Sequence, residues 1–180
     1  MQHDVEPIIF YCNPNIYPEE EYLIRKNEIT RYAAELGLTI IDDDYDHAAW
    51  LDHIKGLEGE PERGGRCLEC FKYRLLRSAL KARELGIDTF TTTLASSRWK
   101  RLDQINAAGH WAAEQANIAP LPAVDGGTPV HFDDRNWRKG GLQERRGELL
   151  RINGFYNQQY CGCEFSFRQP SNPTTNKPTI

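Results

Sequence analysis

Short apolar runs alternate with amphipathic helical stretches along most of the chain, and this alternation limits the fold more than any other feature. Residues 7–12 form the kind of run that fills a buried strand, closed by the turn signal Asn13, Pro14, Asn15. Residues 18–36 read as a helix. Pro18 suits a first turn, Glu19, Glu20 and Glu21 suit the positive end of its dipole, and Ile29, Ala33 and Leu36 recur at core spacing. Gly37 stops that helix and residues 38–41 supply the next strand. A short helix over 48–54 carries Trp50. A long helix over 67–85 places Phe71, Leu75, Leu76, Ala79 and Ala82 on one side and ends at Gly86. A strand over 89–93 follows, then a helix over 102–115 with Ile105, Ala108, Trp111 and Ala112 inside, a short strand over 130–132 and a helix over 142–152. This order predicts an α/β fold, with helices on both faces of a parallel sheet. No G-x-G-x-x-G follows the first strand and no P-loop is present, so the usual phosphate-cradling nucleotide folds have no support.

Four of the five cysteines come in two tight pairs, Cys67/Cys70 and Cys161/Cys163. Two sulfurs three positions apart share one side of a helical turn. A helix N-terminus lowers their pKa, and Arg63, Arg66, Lys72 and Arg74 are expected to add to that effect. Such pairs ligate iron–sulfur clusters or zinc, or cycle as dithiols, and one pair alone is not a site. Cys12, at the end of the first strand, reads as a core thiol or as an extra sulfur near the site. Loops leaving the carboxyl ends of parallel strands are where α/β folds place ligands. That makes Asn13 and Asn15 candidates for binding, or else turn residues bonded to their own backbone. By the same argument Ser96, Ser97 and Arg98 are placed to touch a phosphate. The carboxylates from Asp42 to Asp46 lack a hard-metal loop pattern and read as a solvated loop.

The chain of 180 residues suits one domain, taken as 1–167, with a Pro-, Asn- and Thr-rich tail over 168–180 that reads as disordered. No apolar run is long enough to span a bilayer and the N-terminus is not a signal peptide, so the expected location is the cytoplasm, with no membrane partner. In a reducing compartment the paired cysteines point to metal or redox chemistry and away from a disulfide framework. A net charge of -4 does not mark a nucleic-acid binder, although bases gather at residues 98–101 and 135–139.

Five segments together resemble the cobalamin-independent epoxyqueuosine reductases: Phe10 to Ile16, Arg66 to Cys70, Thr91 to Ser96, Asn136 to Gly141 and Tyr156 to Cys163. The resemblance implies a Rossmann-like, nucleotide-hydrolase-type three-layer fold. It also implies reduction of epoxyqueuosine to queuosine at the wobble position of tRNA, the last step in making that base. By the same resemblance, Cys67 and Cys70 are ligands of a [4Fe-4S] cluster. Cys161 and Cys163 correspond to a redox-active pair or to ligands near a second iron ion. Asp133 or Asp134 is a candidate ligand or proton donor. Arg98, Lys100, Arg138 and Lys139 are expected to meet tRNA phosphates, with Asn13, Asn15 and Ser96 near the substrate. Trp99 or Trp137 offers a stacking surface for an unstacked base, or simply packs. An electron donor, protein or small reductant, is a required partner. The family's opening strand and His-Val-Cys-Cys-Ala-Pro-Cys-like motif, which supplies the other cluster ligands, has no counterpart here. The expectation is a gene start placed too late or a shortened chain, with the first strand missing and weak or no activity as it stands. The alternative reading from the residues is a structural zinc module closed by the four paired cysteines. A third, a thiol–disulfide oxidoreductase, lacks the thioredoxin-like context.

Overall fold

In the computed structural model, residues 5–120 and 128–166 are described. The expected tail over 168–180 lies outside them, as does most of the Pro/Gly stretch before residue 128. The elements are β1 (Ile9–Tyr11), α1 (Glu19–Glu35), β2 (Ile40–Asp42), α2 (His47–His53), α3 (Gly65–Glu84), β3 (Thr89–Phe90), a 3-10 turn (Thr93–Ser96), α4 (Leu102–Ile118), β4 (His131–Phe132), α5 (Leu142–Asn153) and a second 3-10 turn (Glu164–Ser166). The α/β reading holds. The single parallel sheet does not form among the described residues. β1 pairs in parallel with β2 (Ile9 opposite Ile40), β3 pairs in parallel with β4 (Phe90 opposite Phe132), and no ladder joins the two pairs. β3 is short because Thr92 turns its hydroxyl onto the Leu94 N–H and starts the 3-10 turn where the sequence suggested two or three more strand residues.

α1 and α3 end in the same way. Gly37 (φ 65°) and Gly86 (φ 69°) take the left-handed conformation that a glycine tolerates without strain. The next N–H returns to the helix: Leu38 to the Ala33 carbonyl at 2.9 Å and Ile87 to that of Ala82 at 2.8 Å. Each glycine thereby turns the chain from a helix into the following strand.

The core falls into three clusters. In the largest, the α3 stripe Phe71, Leu75, Ala79 and Ala82 packs on Ile105, Ala108, Ala112 and Ala116 of α4, with Phe90 and Phe132 beneath. The small residues of α4 let it lie close to its neighbours, and at Gly109 the Phe132 ring occupies the place of a side chain. A second cluster joins Tyr11, Ile16 and Tyr22 on the β1–α1 side. The third, Trp50, Ile54, Cys70 and Cys163, joins α2, α3 and the last described segment. No helix among the described residues is long and apolar enough to cross a membrane.

Candidate functional site

α3 begins at Gly65, two residues before the sequence reading, so Cys67 and Cys70 sit in its first two turns. Cys161 and Cys163 are brought to them from the far end of the chain. Arg25 of α1 donates through Nη1 to the Cys161 carbonyl and through Nη2 to that of Tyr160, both at 3.2 Å. Its Nε is held by Glu21 at 2.7 Å, and the other oxygen of Glu21 accepts the Tyr156 hydroxyl at 2.8 Å. Gly162 adopts φ 130°, and a Cβ there would meet Arg25, Ile16 and Asn15 at 3.1–3.3 Å. Its carbonyl accepts the Tyr17 N–H at 2.9 Å. Beyond it, His47 bridges two loops. Its Nδ1 lies 2.7 Å from the Pro14 carbonyl, which can only accept, so Nδ1 carries the hydrogen; Nε2 is 3.2 Å from Glu164.

All five cysteines are free thiols. The four paired ones line one narrow cavity of about 10 Å³ together with Asn15, Trp50 and Arg74. Asn15 is buried at 2 % exposure, and its Oδ1 has no hydrogen-bond partner; the Trp50 indole N–H is likewise buried and unpartnered. The expected lowering of the thiol pKa values is not found. Burial pushes Cys70 up to about 11; Arg74 pulls against it, and nearby Cys161 and Cys163 add smaller upward contributions. Cys67 is also raised, chiefly by burial, although the Arg63 N–H reaches its sulfur at 3.2 Å and opposes the shift. The basic residues meant to oppose burial are engaged elsewhere. Arg66 turns under the carbonyls of Glu58 and Glu60, Lys72 bonds Glu69 at 2.9 Å, and Arg74 holds the Cys12 carbonyl at 3.0 Å and Asn13 Oδ1 at 2.5 Å.

Soft thiolate donors suit iron–sulfur and zinc sites. Among the described residues, however, no three His, Cys, Asp or Glu side chains stand close enough together to hold a metal ion.

A larger cavity of about 380 Å³ opens beside the cysteines, walled by Arg63, Cys67, Phe71, Trp99, Lys100, Gln104, Gln158, Tyr160 and Cys161. Trp99 is 67 % exposed and Arg98 stacks over it at 4.9 Å. The Lys100 ammonium, expected to face phosphate, points inward and lies 3.0 Å from Cys161 Sγ. Arg138 is a strut, with Nε on the Ala95 carbonyl at 3.1 Å and Nη2 on that of Lys100 at 2.9 Å; Lys139 is exposed. Ser96 donates to the Thr93 carbonyl at 2.8 Å and lines neither cavity. Asp133 stands apart as well, tied to the N–H of Arg135 at 3.0 Å. The Asp42–Asp46 carboxylates are not a merely solvated loop: Asp43 pairs with Arg77, Asp42 with Lys26, and Asp46 caps α2. Sequence reasoning passed over Arg25, Glu21 and His47. The i, i+4 spacing of Glu21 and Arg25 was visible, but nothing local pointed from it to residue 160.

The family model described as Epoxyqueuosine reductase QueH matches residues 1–169. The chain is 46% identical over 160 residues to the epoxyqueuosine reductase QueH of Histophilus somni (strain 129Pt), covering 89% of this chain and 61% of that protein. It is 44% identical over 164 residues to that of Haemophilus influenzae, covering 91% and 62%. It is 32% identical over 160 residues to that of Thermotoga maritima, covering 87% and 77%. The chain thus spans about three fifths of the length of the first two relatives.

Proposed function

The chain belongs to the epoxyqueuosine reductase QueH family, and on that premise we propose that it reduces epoxyqueuosine in tRNA to queuosine. The observation that carries this reading is the match over residues 1–169, joined to two thiol pairs placed beside a cavity large enough for a nucleoside-sized group. The net change is epoxide plus two electrons and two protons, giving alkene and water. The exposed Trp99, with Arg98 stacked on it, offers a platform for an unstacked anticodon base, and Arg63, Arg98 and Arg101 supply positive charge for the backbone.

Cys67 and Cys70 are proposed as two ligands of a [4Fe-4S] cluster, which relays single electrons when bound. Cys161 and Cys163 are proposed as the reactive pair, either beside a second iron ion or as a dithiol. As a dithiol they can supply both electrons themselves: two S–H groups become one S–S bond, and their two hydrogens leave with the epoxide oxygen as water. Resetting that disulfide requires an external reductant. Asn13, Asn15, Ser96 and Lys139 are retained as candidate substrate contacts, and Asp133 as a candidate proton donor. The reaction belongs in the cytoplasm, where tRNA is modified.

The test is anaerobic purification of this chain beside a version extended at its N-terminus. Iron, sulfide and visible absorbance are measured, then epoxyqueuosine-tRNA is incubated with dithionite and its nucleosides are separated by mass. Conversion to queuosine is expected. Cluster-loaded, folded protein that leaves epoxyqueuosine intact refutes the assignment, and a colourless zinc protein restores the structural alternative.

A further inference from the structure

We infer that Lys100 is a catalytic residue: its ammonium meets the epoxide oxygen and donates to it as the C–O bonds break. The inference rests on the reductase reading and assigns within it a role that differs from phosphate binding. Residues 98–101 look from the sequence like a run of tRNA-facing bases, but the structure divides them. Arg98 and Arg101 are exposed at the rim, the latter paired with Asp103. Lys100 is half-buried in the wall of the large cavity, with its ammonium 3.0 Å from Cys161 Sγ and 5.7 Å from the centre of the Phe71 ring.

Its backbone is braced for that position. The Lys100 N–H reaches the Ser97 carbonyl at 3.3 Å, and its own carbonyl accepts Arg138 Nη2 at 2.9 Å. An ammonium has three N–H donors. Among the described residues Cys161 is the one hydrogen-bond acceptor of Nζ, and no carboxylate lies within ion-pair distance. The remaining donors are available in the cavity. Two neighbouring donors are committed: Arg63 Nε to the Trp99 carbonyl at 2.9 Å and Gln104 Nε2 to the Arg63 carbonyl at 2.9 Å.

A cation with unused donors beside a reactive sulfur suits an oxygen that gains negative charge as it leaves carbon, and such preorganised donors are worth most where water is excluded. The step balances as follows. Two electrons from the reductant enter the substrate, both C–O bonds break and the C=C bond forms. Lys100 keeps its proton and hydrogen-bonds the departing oxygen as negative charge builds on it; the two protons that complete water come from the Cys161 and Cys163 thiols, where these are the reductant, or from solvent.

The experiment compares wild type, Lys100→Met and Lys100→Arg in whichever form, the given chain or its N-terminally extended version, turns over, with dithionite as reductant and epoxyqueuosine-tRNA as substrate, across a range of salt. Circular dichroism melts verify folding, and the arginine variant keeps the test open if the methionine variant does not fold. Expected for Lys100→Met is a loss in kcat of about 10²–10³, with KM within about twofold and an unchanged salt slope. Lys100→Arg recovers part of kcat. A normal kcat with a raised KM and a salt slope reduced by about 1 identifies a phosphate contact and overturns the inference. A folded wild type without turnover overturns the reductase reading itself, and this inference with it.

Discussion

Replacing Gly109 with alanine tests the packing on which the larger core depends. An ideal Cβ at this position falls 2.3 Å from Cδ1 and Cε1 of Phe132 and 2.5 Å from Cζ. Carbon atoms in a packed core sit about 3.5–4.0 Å apart, so the ring has to retreat by more than about 1 Å. It has little room to do so, being held by Phe90 at 5.2 Å and His110 at 5.6 Å between ring centres. On helix propensity alone, alanine gains about 1 kcal/mol over glycine. Overpacking a closed site costs about 1–3 kcal/mol, more where the obstacle is a rigid ring. A contact as close as 2.3 Å places the cost at the upper end, about 2–3 kcal/mol, so the clash wins and a net loss of about 1–2 kcal/mol is expected. For a chain of this size each kcal/mol moves Tm by about 2–4 °C. Urea and thermal melts of wild type, Gly109→Ala, Phe132→Leu and the double variant give the full cycle. The double variant should be less destabilised than the two single losses added, because the smaller side chain vacates the space the methyl needs. A Gly109→Ala protein as stable as wild type, or more so, refutes the packing argument.

The remaining predictions concern the cysteines and their clamp. In metal-free protein at pH 8, iodoacetamide should label the half-buried Cys161 ahead of the buried Cys70, because burial both shields the Cys70 sulfur and pushes its pKa up to about 11. Raising the pH towards 10 should narrow the gap, and peptide mass mapping reads the order. Equal rates at pH 8 would contradict the burial of Cys70. Arg25→Met should destabilise by about 3–5 kcal/mol, because it leaves the largely buried Glu21 unpaired. Adding Glu21→Gln should recover part of that loss in urea melts, and strictly additive losses would show that the pair is not coupled.

The α3 stripe, the two glycine stops and the parallel strand pairs were legible because each leaves a local signature: 3-4 spacing, a glycine after the last apolar position, or a short β-rich run. The cysteine pair at the start of α3 was legible for the same reason. Its ionisation was not. Arg66 and Lys72 are near in sequence, but their charges are spent on loop carbonyls and on Glu69, which only the folded chain shows. The intramolecular contacts of Lys100 and Arg138 were not legible either. A basic run looks like a phosphate surface until the fold turns one ammonium towards a sulfur and one guanidinium onto two carbonyls. The parallel pairing of the strands was legible from element order, but alternation does not say which pairs share a ladder, so the division into β1–β2 and β3–β4 was not.

The contacts that seat Cys161 span large loops of chain. Its carbonyl bonds Arg25 across 136 positions and its sulfur meets Lys100 across 61. Closing such loops carries an entropic cost that the helix pair α3–α4 does not share to the same degree, so the Cys161 segment is expected to dock after that pair has formed. What docks later also releases more readily. Amide exchange in the native protein should therefore be faster along residues 156–163 than in α3.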